Sequence, residues 1–126
     1  GIDLGTMTSQ GDILTGSDTA TLYTNGNVDI TADNTTAAEL SEAGADTLYT
    51  EYQLSYDGDG VSATGGSSVA YAVYSSFLSS ASTVTHYDED GAVVVTLGAR
   101  ATNAGGTLAD AGNYSATQTL TASWVP

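Results

Sequence analysis

The chain has 126 residues, 40 % of them hydrophobic and none cysteine, so it can enclose a core but has no disulfide, thiolate metal site or cysteine nucleophile. Fifteen acidic residues against a single basic one give a net charge of -14, which repels phosphate backbones and anionic headgroups and argues against nucleic-acid and membrane-surface partners. No apolar run approaches the roughly 20 residues a membrane-spanning helix needs, so no membrane span is expected.

Small and hydroxyl-bearing residues stand where most proteins carry lysine, a palette that suits an extracellular life in saline surroundings. Neither a basic segment nor an apolar run precedes Gly1, and the expectation is a secreted mature chain left after signal removal. Residues 1–126 read as one domain.

In chain order, residues 1–16 place Ile2, Leu4, Ile13 and Leu14 in an otherwise polar terminus. These side chains need burial, either in the protein's own edge strand or as a strand added to a neighbour. Residues 20–24 and 28–32 flank Asn25-Gly26-Asn27 and predict a tight hairpin, because an Asn-Gly step accepts positive φ angles. Asn34-Thr35-Thr36 fits the N-glycosylation pattern, as does Asn113-Tyr114-Ser115. Residues 37–45 contain the one plausible helical turn and are read as a loop.

Residues 46–56 alternate with period two, predicting a long central strand with Leu48, Thr50, Tyr52, Leu54 and Tyr56 facing inward. Asp57-Gly58-Asp59-Gly60 then reads as a turn, and residues 64–68 as a flexible stretch. Strands follow at 69–74, 82–87 and 92–101, the last two read as a hairpin across Asp88-Glu89-Asp90-Gly91. Residues 114–125 close the chain with alternating threonines and serines, Leu120 and Trp124 pointing into the core. Short strands at this spacing, about eight in all, predict an all-β, two-sheet antiparallel sandwich of immunoglobulin-like or jelly-roll type.

Chemistry-bearing patterns are sparse. His86 is the only histidine, and it stands outside any nucleophile-elbow, zinc-protease or phosphate-loop motif, so no catalytic residue is assigned and no enzyme is expected. Calcium is the one candidate ion, with Asp57, Asp59, Asp88 and Asp90 supplying oxygen ligands in two D-x-D-G turns. Neither turn continues as an EF-hand, since the twelfth positions are Ser68 and Ala99, and an ordinary Asp-Gly turn explains the same residues. Tyr49 and Tyr74 could stack on surface glycans or simply pack across strands.

Ile2-Asp3-Leu4-Gly5-Thr6 resembles the early strand of secreted fimbrial and spore-coat-like domains. The stretch Ala111-Gly112-Asn113-Tyr114, continuing through alternating threonines to Trp124, resembles their closing strand, and Gly105-Gly106-Thr107-Leu108 is similar to the approach to it. The group includes spore coat U-type pilins, TasA-like matrix fibre proteins and archaeal bundling pilins. The resemblance implies a structural subunit of an extracellular filament, a homopolymer in which residues 1–10 are donated to the next subunit. It assigns Ile2, Leu4 and Met7 as the donor's pocket-filling side chains. The paired cysteines of many pilins are absent. A carbohydrate-binding or calcium-dependent adhesion module is the alternative.

Overall fold

The computed structural model describes residues 1–24, 26–42, 46–59, 67–85, 92–103 and 112–125, with 57–59 described in backbone only. Among them are seven strands: β1 (Ile13–Tyr23), β2 (Val28–Ala32), β3 (Tyr49–Asp59), β4 (Val69–Val73), β5 (Ser82–Val84), β6 (Ala92–Thr102) and β7 (Leu120–Trp124). They form two antiparallel sheets, one of four strands in the order β1-β6-β3-β4 and one of three in the order β5-β2-β7.

The period-two pattern of β3 does what its sequence predicts: Thr50, Tyr52 and Leu54 are buried, Tyr56 is half-buried, and Tyr49 faces out. β6 is rich in β-branched residues and buries Val93, Val95, Ala99 and Ala101 on the same inner face. From the three-stranded sheet come Val28, Ile30 and Val84, and all belong to one core cluster with β3 and β6. Phe77 and Leu78, in the corner between β4 and β5, complete it, the Phe77 ring lying 5.7 Å from that of Tyr52.

Three hydrogen bonds hold the corner and the layers in place. The Asn34 amide donates to the carbonyls of Tyr74 (2.9 Å) and Phe77 (2.7 Å), clamping a turn in which Leu78 adopts a left-handed φ of 49° while its side chain is buried. The Tyr56 hydroxyl donates to Ser82 Oγ at 2.8 Å, tying β3 of one sheet to β5 of the other.

Four expectations are corrected. The hairpin expected around Asn25-Gly26 does not form, because β1 pairs with β6 whereas β2 pairs with β5 and β7. An Asn-Gly step permits a tight turn but does not choose partners; burial of Val28 and Ile30 against the opposite sheet does, and the link crosses between layers. Likewise β5 and β6 lie in different sheets, so the strands on either side of residues 86–91 are not a hairpin.

β3 does not turn at Asp57 but runs on to Asp59, paired with Val94, Val93 and Ala92 of β6. The pairing partner, long and unbroken there, outweighs the local Asp-Gly signal. Trp124 is 68 % exposed, not buried. Its indole lies over Gly26, where an added Cβ would sit 2.6 Å from Nε1. The alternation of the closing segment holds from Tyr114 to Leu120, which packs on the core, and residues 121–124 are all exposed. Among its described residues the stretch read as a loop overlaps one 3₁₀ turn, Thr36–Ala38, with the Thr35 hydroxyl accepting from the Ala37 amide and Ala38 fully buried.

Candidate functional site: the seat of the N-terminal segment

Residues 1–8 form no strand, yet Ile2 and Leu4 pack against the core cluster. Gly16 of β1 makes the seat. A Cβ there would stand 2.8 Å from Ile2 Cγ2, 3.1 Å from Leu4 Cδ2 and 3.2 Å from the Asp3 carbonyl oxygen. A glycine inside a strand often marks such a close approach, and this one lies in a threonine- and serine-rich run where nothing else explains it.

Beyond Leu4 the chain doubles back toward β1 through two glycines with left-handed φ, Gly5 at 88° and Gly11 at 83°. The Asp3 carboxylate accepts from the Gly5 amide at 2.9 Å. Asp12 Oδ2 accepts from the amides of Thr8 (3.0 Å) and Ser9 (2.9 Å), and these backbone donors hold its carboxyl below the usual aspartate range. The turn is fastened to the end of β6 by reciprocal backbone bonds, Gly11 to the Asn103 carbonyl (2.8 Å) and Asn103 to the Asp12 carbonyl (3.1 Å).

The turn is therefore well anchored, while the segment it carries is held differently. Among the described residues no backbone-to-backbone hydrogen bond joins residues 1–8 to a strand. Its attachments are the apolar contacts and a 3.0 Å ion pair from the Gly1 amino group to Asp18, which lowers the Asp18 pKa first through that hydrogen bond. Gly1, Ile2 and Leu4 line a groove of about 300 Å³ together with Ala116, Thr117 and Gln118 of the segment entering β7. The inner-face residues Thr50, Tyr52, Leu97 and Ala99 also line it. Tyr52 is anchored there, its hydroxyl donating to the Ala38 carbonyl at 2.7 Å, and burial pushes its pKa up.

The site residues expected from sequence are thus unequally placed. Ile2 and Leu4 share one seat; Met7 is half-buried but does not join the residues packed on the core. The side chains of Asp57 and Asp59, and the whole of His86, Asp88 and Asp90, lie outside the described residues. Among those described, no group of three His, Cys, Asp or Glu side chains could hold a metal ion. Asn34 is part-buried with its amide committed to two carbonyls, whereas Asn113 is exposed. Tyr74 packs on the core, and Tyr49 is 47 % exposed.

A second cluster lies on the outer face of the four-stranded sheet. Arg100 of β6 meets Glu51 of β3 in a two-pronged bond, Nε to Oε1 at 2.9 Å and Nη2 to Oε2 at 3.0 Å. The guanidinium sits 4.2 Å above the Tyr71 ring. Tyr71 shares this face because Val73 pairs with Glu51 and the alternation of β4 carries Tyr71 to the same side. The sequence reading missed this cluster; the lone arginine of a strongly acidic chain was the signal for it. An open groove of about 550 Å³ between β4 and β5 is lined mostly by serines and holds no ionisable side chain.

No family model, curated protein or solved structure matches the chain. Among the described residues no helix is long and apolar enough to cross a membrane.

Proposed function

We propose that this chain is the structural subunit of an extracellular filament, a β-sandwich of immunoglobulin-like or jelly-roll type that polymerises by passing its N-terminal strand to the next subunit. The observation that carries the reading is the seat of Ile2 and Leu4: a segment that fills part of the core through side chains while making no described ladder bond. Such a segment is easily exchanged. A second copy's Ile2 and Leu4 can occupy the same seat, and the exchange gains backbone bonds if the donated strand pairs along a sheet edge. The anchored Ser9–Asp12 turn then acts as the hinge, and Gly5 and Gly11 supply its conformational freedom. The reading assigns no catalytic step and no resident cofactor.

Truncation tests it. Chain lacking residues 1–10 is expected to stay unpolymerised in negative-stain electron microscopy, and to bind a synthetic peptide of residues 1–10 in calorimetry. Filaments that form without those residues rule the donor assignment out. The adhesion-module reading is favoured by one observation, the exposed Tyr49 ring beside the Arg100–Glu51 pair, and it predicts a monomer that binds immobilised glycans.

A further inference from the structure

We propose that the open edge of β1 is a self-association seam, on which β1 of a second copy pairs antiparallel to join two four-stranded sheets into one of eight. This contact goes beyond strand donation and needs no exchange of residues 1–10.

Among the described strands, three of the four sheet edges are short: β5 has three residues, β7 five, and β4 five with a register shift. β1 differs. It runs eleven residues in unbroken register with β6, and no described strand pairs with its other side. Proteins usually guard so long an edge with lysine, proline or a bulge. This chain has no lysine, its single proline is Pro126, β1 has no register shift, and the one charge on its core-side face, Asp18, is ion-paired with Gly1.

Charge selects the occupant. The chain carries a net -14, yet Asp18 is the only ionisable carboxylate on β1 and none lies on β6, whose Arg100 is already paired with Glu51. The outward residues Thr15, Ser17, Thr19 and Thr21 are uncharged and exposed or nearly so. A second copy can therefore approach here with less repulsion than over the acid-bearing surfaces.

The two ends of the strand supply the complementarity. Ile13 is 58 % exposed and Tyr23 is 79 % exposed, and they stand at opposite ends of β1 on the same outer face. In a full-length symmetric pairing centred on Asp18, Ile13 falls opposite the second copy's Tyr23 and each covers the other, an aromatic against β-branched pair. Ser17 falls opposite the second copy's Thr19. Asp18, ion-paired with its own Gly1 amino group, meets its counterpart on the axis, and because each copy carries a net -14, salt is expected to strengthen the contact.

Because the chain has no cysteine, introduced thiols report only on this seam. An equimolar mixture of the Ser17→Cys and Thr19→Cys full-length proteins, oxidised at neutral pH, is expected to give the mixed disulfide well above the roughly twofold ratio over either homodimer that random pairing yields. In sedimentation velocity the unmodified chain should dimerise more tightly as NaCl rises. The double variant Ser17→Glu/Thr19→Glu, both at exposed positions, should weaken that dimer roughly tenfold or more. A chain that stays monomeric at millimolar concentration in high salt overturns the seam, as does a dimer unaffected by the two glutamates. Ile2→Ser/Leu4→Ser separates the readings: it abolishes filaments if strand donation holds and leaves the β1 dimer intact. Filament loss with an absent dimer overturns the seam alone, and filaments surviving in this variant overturn donation alone.

Discussion

Asn34 shows how much one side chain can organise when both of its amide hydrogens are used. The carbonyls of Tyr74 and Phe77 converge on it, so the corner that delivers Phe77 to the core and holds Leu78 in a strained backbone conformation depends on a residue more than forty positions earlier. Asn34→Ala removes both bonds and leaves two part-buried acceptors unpaired, at a cost of about 1–3 kcal/mol. Urea unfolding should register it as a lower midpoint with unchanged slope; a midpoint equal to that of the parent would mean water replaces the amide fully. The same commitment bears on Asn34 as a glycan acceptor, because attachment at its nitrogen consumes one of the two donors.

At the scale of elements, the relation between β1 and the N-terminal segment turns on Gly16. Gly16→Val keeps a residue suited to strands but drives carbon atoms into Ile2, Leu4 and the Asp3 carbonyl. The expected result is expulsion of residues 1–8 from the seat with a stability loss of about 1–3 kcal/mol. Faster amide exchange confined to the neighbourhood of the seat, and cleavage of residues 1–8 by a non-specific protease, would report the release. Unaltered resistance of that segment to cleavage would show that the seat has room to spare. The alternation of β3 was legible in the sequence because period two reports a half-buried strand whatever its partners. Pairing was not legible: both hairpins expected from Asn-Gly and Asp-Gly steps dissolved, since turn chemistry acts over four residues and sheet choice over the whole chain.

For the whole molecule, the imbalance of charge is the dominant feature. Fifteen acidic residues, opposed by a single arginine, repel one another more in the compact state than in the unfolded chain, and salt screens that repulsion beyond a Debye length of about 10 Å at roughly 0.1 M. Raising NaCl from about 0.05 M to about 1 M should therefore raise Tm by roughly 3–8 °C, equivalent to about 1 kcal/mol. Calorimetric scans showing no dependence on salt would remove the argument for a saline habitat.

By itself the sequence determined the all-β character, the inward face of β3, the absence of cysteine chemistry and the burial need of Ile2 and Leu4. Each is a local or additive property, readable from alternation, composition and hydrophobicity. Only the tertiary structure decided which strands share a sheet, that Trp124 faces solvent over Gly26, that Arg100 is stacked and paired, and that Gly16 receives the N-terminal side chains. Those outcomes depend on contacts between residues far apart in the chain, whose energies appear only once the two sheets enclose a common core.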